Sequence, residues 1–415
     1  MSHPKDRNEM AELCGKASPQ APLSSVPWRR RGETSALELA LHAQAATSVA
    51  AFERANWDAL FNNSVLGWDF CRAVERAPPE GFRLSVLGVL QDEKLIAAAP
   101  VFRTTYRWST SLPPLLRRAG DGAARLLPRL FDIPIVGLGS PALDRCPVGF
   151  LPSLQGNDRR LAWETLMCGL EQLAEEDRCD LVVVKDMPDT DRDWAEPLLI
   201  ARHFGRMASL PVAVLDVPFT SEREYLANLS SSMRQDINRK LRQSQAKVKL
   251  ELRQSIAGLE AAIADLYATT RSHRRADYGG FDSDSPELIP AILDQVGDRA
   301  HVVLGWVGNE LASFSMFLLE PGCAYAYRIG MRYPIAREHN LYFLNWMMMV
   351  RICIERGIHR LEMGQTCYPE KLRLGCHLER SWVYLRHQSS PINPLMKRFA
   401  PLAGFDQMEA GASPT

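Results

Sequence analysis

A histidine in a charged, aromatic stretch is the first residue with chemistry to offer. Residues 271–286, RSHRRADYGGFDSDSP, bring together His273, Arg274, Arg275, Asp277 and Tyr278. An unperturbed imidazole titrates near neutrality, so His273 is a candidate proton acceptor, and Arg275 and Tyr278 suit contact with a polar substrate. A solvated connection accounts for the same composition. The stretch CAYAYRIGM, residues 323–331, alternates so that Tyr325 and Tyr327 share one face and Arg328 takes the other. Tyr327 is a candidate acid or a packing residue. In HRLEMGQ, Glu362 is a candidate base whose plainer reading is an exposed strand glutamate. Gln365 and Thr366 end that segment, where they present side chains to a cleft or satisfy a turn.

Two further places suit anions. RYPIAREHN, residues 332–340, precedes an apolar helical run that starts at Leu341. A helix N-terminus offers unbonded N–H groups and the positive end of a dipole, so Arg337, His339, Asn340 and Leu341 are candidates for holding a phosphate. The alternative is a surface loop whose charges are only solvated. The segment SEREYLANLSSSMRQDINRKLRQSQA, residues 221–246, spaces Leu226, Leu229, Met233, Ile237 and Leu241 as one helix face, with Arg234, Arg239, Lys240 and Arg242 on the others. Arg234 and Arg239 are candidates for meeting an anionic substrate; a solvated face is the competing reading.

Composition removes several classes. Lys plus Arg equals Asp plus Glu at 49 each, so no global charge draws the chain to nucleic acid or an anionic surface. No run of eighteen apolar residues is present, and the polar start lacks the apolar centre of a signal peptide. The nine cysteines form no CxxC pair, which fits reduced thiols in a cytoplasmic protein and argues against a zinc site. There is no HExxH, no GxSxG, no P-loop and no GxGxxG, so neither a catalytic metal nor a hydrolase serine is expected. The Met347-Met348-Met349 run beside Phe343 and Trp346 reads as helix core.

These residues need elements to hold them. Residues 1–34 read as a disordered leader and 391–415 as a tail. A helical pattern starts near Ser35 and runs to Trp57, and a second covers 68–76. FRLSVLGVL and LIAAAPVFRTT, joined by a short polar turn, read as a hairpin. Residues 109–128 read as a loop or short helix. A strand at PIVGLGSPAL, a helix over 159–176 and the strand DLVVVKDMP follow. The second half repeats this order: strand KVKLELRQ, helices over 258–270 and 286–296, the hairpin HVVLGWV and LASFSMFLLE, strand CAYAYRIGM, a helix ending at Gly357, strand HRLEMGQ and strand SWVYLRH. The fold class expected is α/β (α+β): tandem domains of mostly antiparallel sheet flanked by helices, at 35–215 and 247–390, joined by a basic connector helix at 216–246.

The connector LSSSMRQDINRKLRQ resembles the basic helix between the halves of FemAB-like proteins. The closing segment, YRIGM through LEMGQTCYPEKLRLG, is similar to that of GNAT-related acyltransferases of the FemAB and CelD/BcsL type, with a K-x-x-x-G element at Lys371–Gly375 after Tyr368. The resemblance covers the layout of about residues 35–390 and reaches motif level only in the last quarter. It implies tandem GNAT-like domains and transfer of an acyl group to an amine or hydroxyl of a sugar- or peptide-type acceptor, in envelope or polysaccharide biosynthesis. It implies acyl-CoA as co-substrate, held at Arg337, His339, Asn340, Leu341, Gln365 and Thr366. Lys371 would stabilise negative charge on the donor or intermediate, with Tyr327 and His273 as the other catalytic candidates and Arg234, Arg239, Arg275 and Tyr278 on the acceptor. The usual Q/R-x-x-G-x-G/A pyrophosphate loop is missing, and residues 332–340 take its place. Two alternatives stand beside this reading: a Fem-type transferase using aminoacyl-tRNA, and a non-catalytic scaffold that binds precursors.

Overall fold

The computed structural model describes residues 41–107, 132–244, 246–273 and 285–403. The strands, in chain order, are β1 (Leu41–Ala46), β2 (Arg83–Gln91), β3 (Lys94–Arg107), β4 (Asp132–Leu138), β5 (Gly149–Phe150), β6 (Leu181–Pro188), β7 (Gly205–Ala208), β8 (Val212–Asp216), β9 (Val248–Arg253), β10 (Ala300–Val307), β11 (Glu310–Glu320), β12 (Cys323–Met331), β13 (Arg360–Glu362), β14 (His377–Glu379) and β15 (Ser381–His387). Between them run α1 (Arg54–Leu60), α2 (Trp68–Arg76), α3 (Gly156–Glu176), α4 (Arg192–Ala201), α5 (Glu222–Asn228), α6 (Ser231–Ser244), α7 (Glu260–Ser272), α8 (Leu288–Val296), α9 (Ile335–Glu338), α10 (Leu341–Glu355), α11 (Tyr368–Arg373) and α12 (Asn393–Phe399).

Both hairpins form where the sequence places them. In the first, Asp92 and Glu93 both take positive φ, at 48° and 67°, and such a two-residue turn matches the twist of the strands it joins. The helix expected from Ser35 is corrected. Residues 41–46 form the edge strand β1, with Leu41 opposite Gln91 and Ala46 opposite Val86. Apolar residues spaced for a helix here meet an open sheet edge, and backbone pairing with β2 decides the outcome. The single connector helix is also corrected: it breaks at Leu229 and Ser230 into α5 and α6. Ser221 caps α5, accepting from the amide of Glu224 at 3.2 Å.

Two sheets result. The first has the order β1-β2-β3-β4-β6-β15-β7, with β5 beside β3; the second runs β14-β8-β13-β12-β11-β10-β9. Each borrows a strand from across the expected domain boundary. β8, which ends at residue 216, pairs with β13 and β14 of the second sheet, and β15, near the end of the chain, pairs with β6 and β7 of the first. Helices α3 and α4 cover one face of the first sheet, where Trp163, Leu166 and Leu170 meet Val136, Val182 and Val184. The second sheet is covered on both faces. On one, Tyr225, Ile237, Trp346 and Val350 of α5, α6 and α10 pack on Leu215, Phe317, Ala324 and Leu361. On the other, Phe70 and Val74 of α2 join Leu266 and Ile292 against Phe314, Met316 and Leu318. Full burial of each such side chain stabilises by about 1.5–3 kcal/mol, so α2 couples the halves through core contacts. Among the described residues no helix is long and apolar enough to cross a membrane.

Candidate functional site

The site begins with a defect in strand pairing. β12 runs antiparallel to β11, but Met316 faces Arg328 and Phe317 faces Ala326, so Tyr327 is an extra residue in a β-bulge. On its other side β12 pairs with β13 only across Cys323–Tyr325 and Arg360–Glu362. From Ala326 onward the two parallel strands part, and among the described residues no other strand pairs with that edge of β12. The bulge also corrects the expected alternation. Tyr325 and Tyr327 do share a face, but the extra residue turns Arg328 onto that face too. Its guanidinium sits 4.0 Å from the Tyr327 ring centroid and donates to the Tyr327 carbonyl at 2.9 Å. Phe70 meets the Tyr327 ring edge-on at 5.7 Å.

The gap opens onto a cleft between the halves, about 400 Å³ of space partly open to solvent. Leu143, Asp144 and Arg145 of the first half face Tyr325, Tyr327 and Gly364 of the second. Glu362 is corrected from an exposed residue to a buried one, 6% exposed, because Arg145 and Arg360 both bond its carboxylate. Burial works against the charge on Arg145, but Glu362 and the other groups around it together outweigh burial and hold the guanidinium above its ordinary value. Arg145 also lies over the Tyr325 ring at 5.5 Å. The Tyr325 hydroxyl donates to Glu320 at 2.6 Å, and burial pushes it up, out of the range where it titrates. The other oxygen of Glu320 accepts from the Ser64 hydroxyl at 2.6 Å and the Val65 amide at 2.8 Å, pinning the first half to β12. Asp144 accepts the Gln365 amide at 3.3 Å and has no cationic partner among the described residues. Sequence reading missed Asp144 and Arg145; their only signal was a charged pair just after the Gly139-Ser140-Pro141 turn.

Lys371 is not aimed at this cleft, which corrects its expected role. It lies on α11 with 6% exposure, and its ammonium donates to the carbonyls of Met363 at 2.7 Å, Gly364 at 3.1 Å and Gln365 at 3.1 Å. Three N–H groups meet three carbonyls, so the charge clamps the turn that follows β13. That turn includes Gly364, Thr366 and Cys367, all with positive φ. Gln365 is spent the same way, donating from Nε2 to Leu210 at 2.8 Å, and the Tyr368 hydroxyl donates to Pro211 at 2.8 Å. Thr366 is half-buried within the turn.

β12 ends at Met331, and the chain then passes through α9 to α10. Asn340, with φ 52°, precedes the helix; its carbonyl receives the amides of Phe343 and Leu344, and its side chain donates to Ser244 at 2.9 Å. The amides of Leu341 and Tyr342 donate to no backbone carbonyl among the described residues. Two groups are thus left for an anion, with Arg337 exposed and His339 half-buried nearby. The Leu341 side chain itself is core. Tyr342, a residue the sequence did not single out, buries a hydroxyl with no hydrogen-bond partner among the described residues. His273 does not line the cleft: its ring lies tilted against Tyr333 at 4.6 Å and approaches the Thr269 carbonyl at 2.8 Å, beside the α9 loop. Arg275 and Tyr278 lie outside the described residues, as do 108–131.

The basic helix points elsewhere. α6 packs on the sheet face that carries Ala324 and Ala326, opposite Tyr325 and Tyr327. Arg234 donates to the carbonyls of Ala227 and Leu229, and Arg239 pairs with Asp236 at 2.7 Å. The Met347 run is core as expected, with Trp346 and Met347 buried. Among the described residues no group of His, Cys, Asp and Glu is arranged to hold a metal.

Residues 231–372 match the family model described as acetyltransferase (GNAT) domain, about a third of the chain. Among solved structures, FemX has the same fold at a TM-score of 0.55 and 10% identity, over 83% of this chain and 98% of that one. A tandem GNAT protein from the clavulanic acid biosynthesis pathway superposes at a TM-score of 0.47 with 12% identity, over 84% of this chain and 99% of that one. A Mycobacterium tuberculosis protein provisionally named 8-amino-7-oxononanoate synthase 2 is 25% identical over 237 residues. The match takes in 54% of this chain and 29% of that protein, so the chain spans less than a third of the relative's length.

Proposed function

We propose that this GNAT-related acyltransferase takes its acyl group from coenzyme A and passes it to an amine or hydroxyl of a sugar- or peptide-type acceptor. The observation that carries this is the parting of β12 from β13 beyond Tyr325, with the bulge at Tyr327. Where two strands part, strand-edge N–H and C=O groups can pair with an extended ligand such as a pantetheine arm. The same N–H groups can also receive the oxyanion that forms when the acceptor attacks the thioester carbonyl. The C–S bond then breaks and the sulfur leaves as thiolate, taking up the proton that the acceptor gives up. The diphosphate would meet the Leu341 and Tyr342 amides, with Arg337 and His339 adding positive charge. The acceptor enters from the cleft between the halves. Asp144, a cleft carboxylate with no cationic partner among the described residues, replaces His273 as the proton acceptor we favour. The setting we propose is modification of envelope or polysaccharide precursors, so the acceptor panel should hold amino sugars, sugar hydroxyls and short peptides.

Release of free thiol from acetyl-CoA and longer acyl-CoA species, with that panel, tests the reading. Acceptor-dependent thiol release supports it. A chain that binds no acyl-CoA but binds aminoacyl-tRNA, with affinity falling steeply as salt rises, replaces it with the tRNA-dependent alternative. The synthase activity named for the mycobacterial relative is not carried over, because the shared stretch is a minor part of that protein.

A further inference from the structure

Six large apolar side chains are exposed among the described residues, and three of them, Ile392, Leu395 and Phe399, belong to α12 or its N-cap. Their exposures are 45%, 60% and 52%. The spacing i, i+3, i+7 sets them along one stripe of the helix. A second stripe holds the helix to the body. Asn393 is buried, donating to His203 at 3.0 Å and accepting the His387 amide at 3.0 Å; Met396 packs beside Phe82 and Phe102, and Ala400 is buried. The helix is therefore anchored along one stripe and leaves the apolar residues of the adjoining stripe exposed. Ile200, also exposed at 46%, accepts the His203 amide at its carbonyl and so lies within a turn of the anchor.

Along this stretch of the chain the charge has one sign. Between Glu379 and Asp406 the sequence contains no acidic residue but has Arg380, Arg386, Lys397 and Arg398. Arg386 is paired with Glu171, whereas Arg398, three residues beyond Leu395, is exposed. Apolar side chains that protrude beside cations, on a helix fixed by a neighbouring stripe, form the chemistry of an interfacial contact with an anionic bilayer. We propose that α12 docks this protein on an anionic lipid surface, with Ile392, Leu395 and Phe399 entering the acyl boundary and Lys397 and Arg398 meeting headgroup phosphates. This inference rests on α12 alone and stands or falls apart from the acyl-transfer reading.

Co-sedimentation of the full chain with sucrose-loaded vesicles tests it, comparing phosphatidylcholine alone with phosphatidylcholine and phosphatidylglycerol at about 3:1. The expected result is binding to the anionic vesicles that weakens with salt. L395D/F399D should lower partitioning by at least about tenfold, a modest consequence of withdrawing two partly buried side chains. K397E/R398E should remove the preference for the anionic lipid. A thermal melt and far-UV circular dichroism matching the parent show that the variants fold. No binding by the parent, or equal binding by parent and L395D/F399D, overturns the proposal. A dimer in solution that L395D/F399D splits, without vesicle binding, overturns it in favour of a second copy.

Discussion

Replacing Lys371 with methionine separates two roles that the sequence alone confounds. The ammonium is 6% exposed and supplies hydrogen bonds of 2.7, 3.1 and 3.1 Å to the carbonyls of Met363, Gly364 and Gln365. A methionine keeps the stem and its packing but removes all three donors. Each unsatisfied buried carbonyl costs about 1–3 kcal/mol. Gly364 retains the Ala213 amide at 3.1 Å, so its share is at the low end. The variant is also relieved of burying an ammonium, which offsets part of the sum. A net loss of about 3 kcal/mol remains, enough to lower the melting temperature by about 3 °C. The turn from Gly364 to Cys367 should loosen with it, so KM for the acyl donor rises and the melting temperature falls together. Thermal unfolding and thiol-release kinetics on the same preparation read both. Had Lys371 met the reacting carbonyl, K371M would lower kcat by about 10²–10³ with stability intact. A melting temperature within 1 °C of the parent, with kcat lost on that scale, would refute the clamp.

Three further outcomes follow from the same geometry. Arg337→Ala with His339→Ala should raise KM for acyl-CoA by about tenfold yet leave turnover of an acyl N-acetylcysteamine thioester unchanged, since that donor lacks a diphosphate; equal effects on both would dismiss the phosphate site. Gly364→Ala should destabilise by about 1–2 kcal/mol and impair acceptor binding, because φ there is +69° and an added Cβ would meet Asp144 Oδ2 at 2.9 Å; a neutral melt would count against the close approach. Hydrogen bonds from Arg360, aided by its charge, hold Glu379 below the ordinary glutamate value of 4.5. A depressed carboxyl stabilises the fold above its unfolded value and loses that contribution as pH falls through its folded value. Melting temperature should therefore fall as pH drops below about 4.5, and Glu379→Gln should flatten that limb.

What the sequence discloses is local. The turns at Asp92-Glu93 and Gly308-Asn309, the α10 run and its stop at Gly357 follow from a few neighbouring residues, and each lies where expected. The cleft depends on distant partners. Glu362 reads as exposed from HRLEMGQ alone, yet Arg145, 217 residues earlier, bonds it. Lys371 is a lysine on a short helix in any window of ten residues; only the fold shows that three carbonyls surround it. Arg328 was assigned by period-two alternation, which a single extra residue at Tyr327 cancels. The basic helix reads as an interdomain contact because it lies mid-chain, whereas its apolar face seats on the sheet surface away from the cleft.

The exchanged strands explain why the cleft is narrow and defined. β8 arrives from the first half and takes the place beside β13, so Ala213 can bond Met363 and Gly364 at the start of the turn that Lys371 clamps. β15 leaves the second half immediately after β14 and locks between β6 and β7. Two crossings a few residues from the gap mean that neither sheet can shift without dragging the edge of the other. Glu320 adds a third tie, from the end of β11 to the backbone at Val65, and the α2 core contacts add a fourth. An acceptor entering between Asp144 and Tyr327 therefore meets walls set by strand pairing in both sheets. In the reading we propose, the residue that recognises it comes from a loop of the first half while the acyl group is held by the second. The acetyltransferase match takes in about a third of the chain, and Asp144 and Arg145, on the cleft wall, lie outside the matched residues.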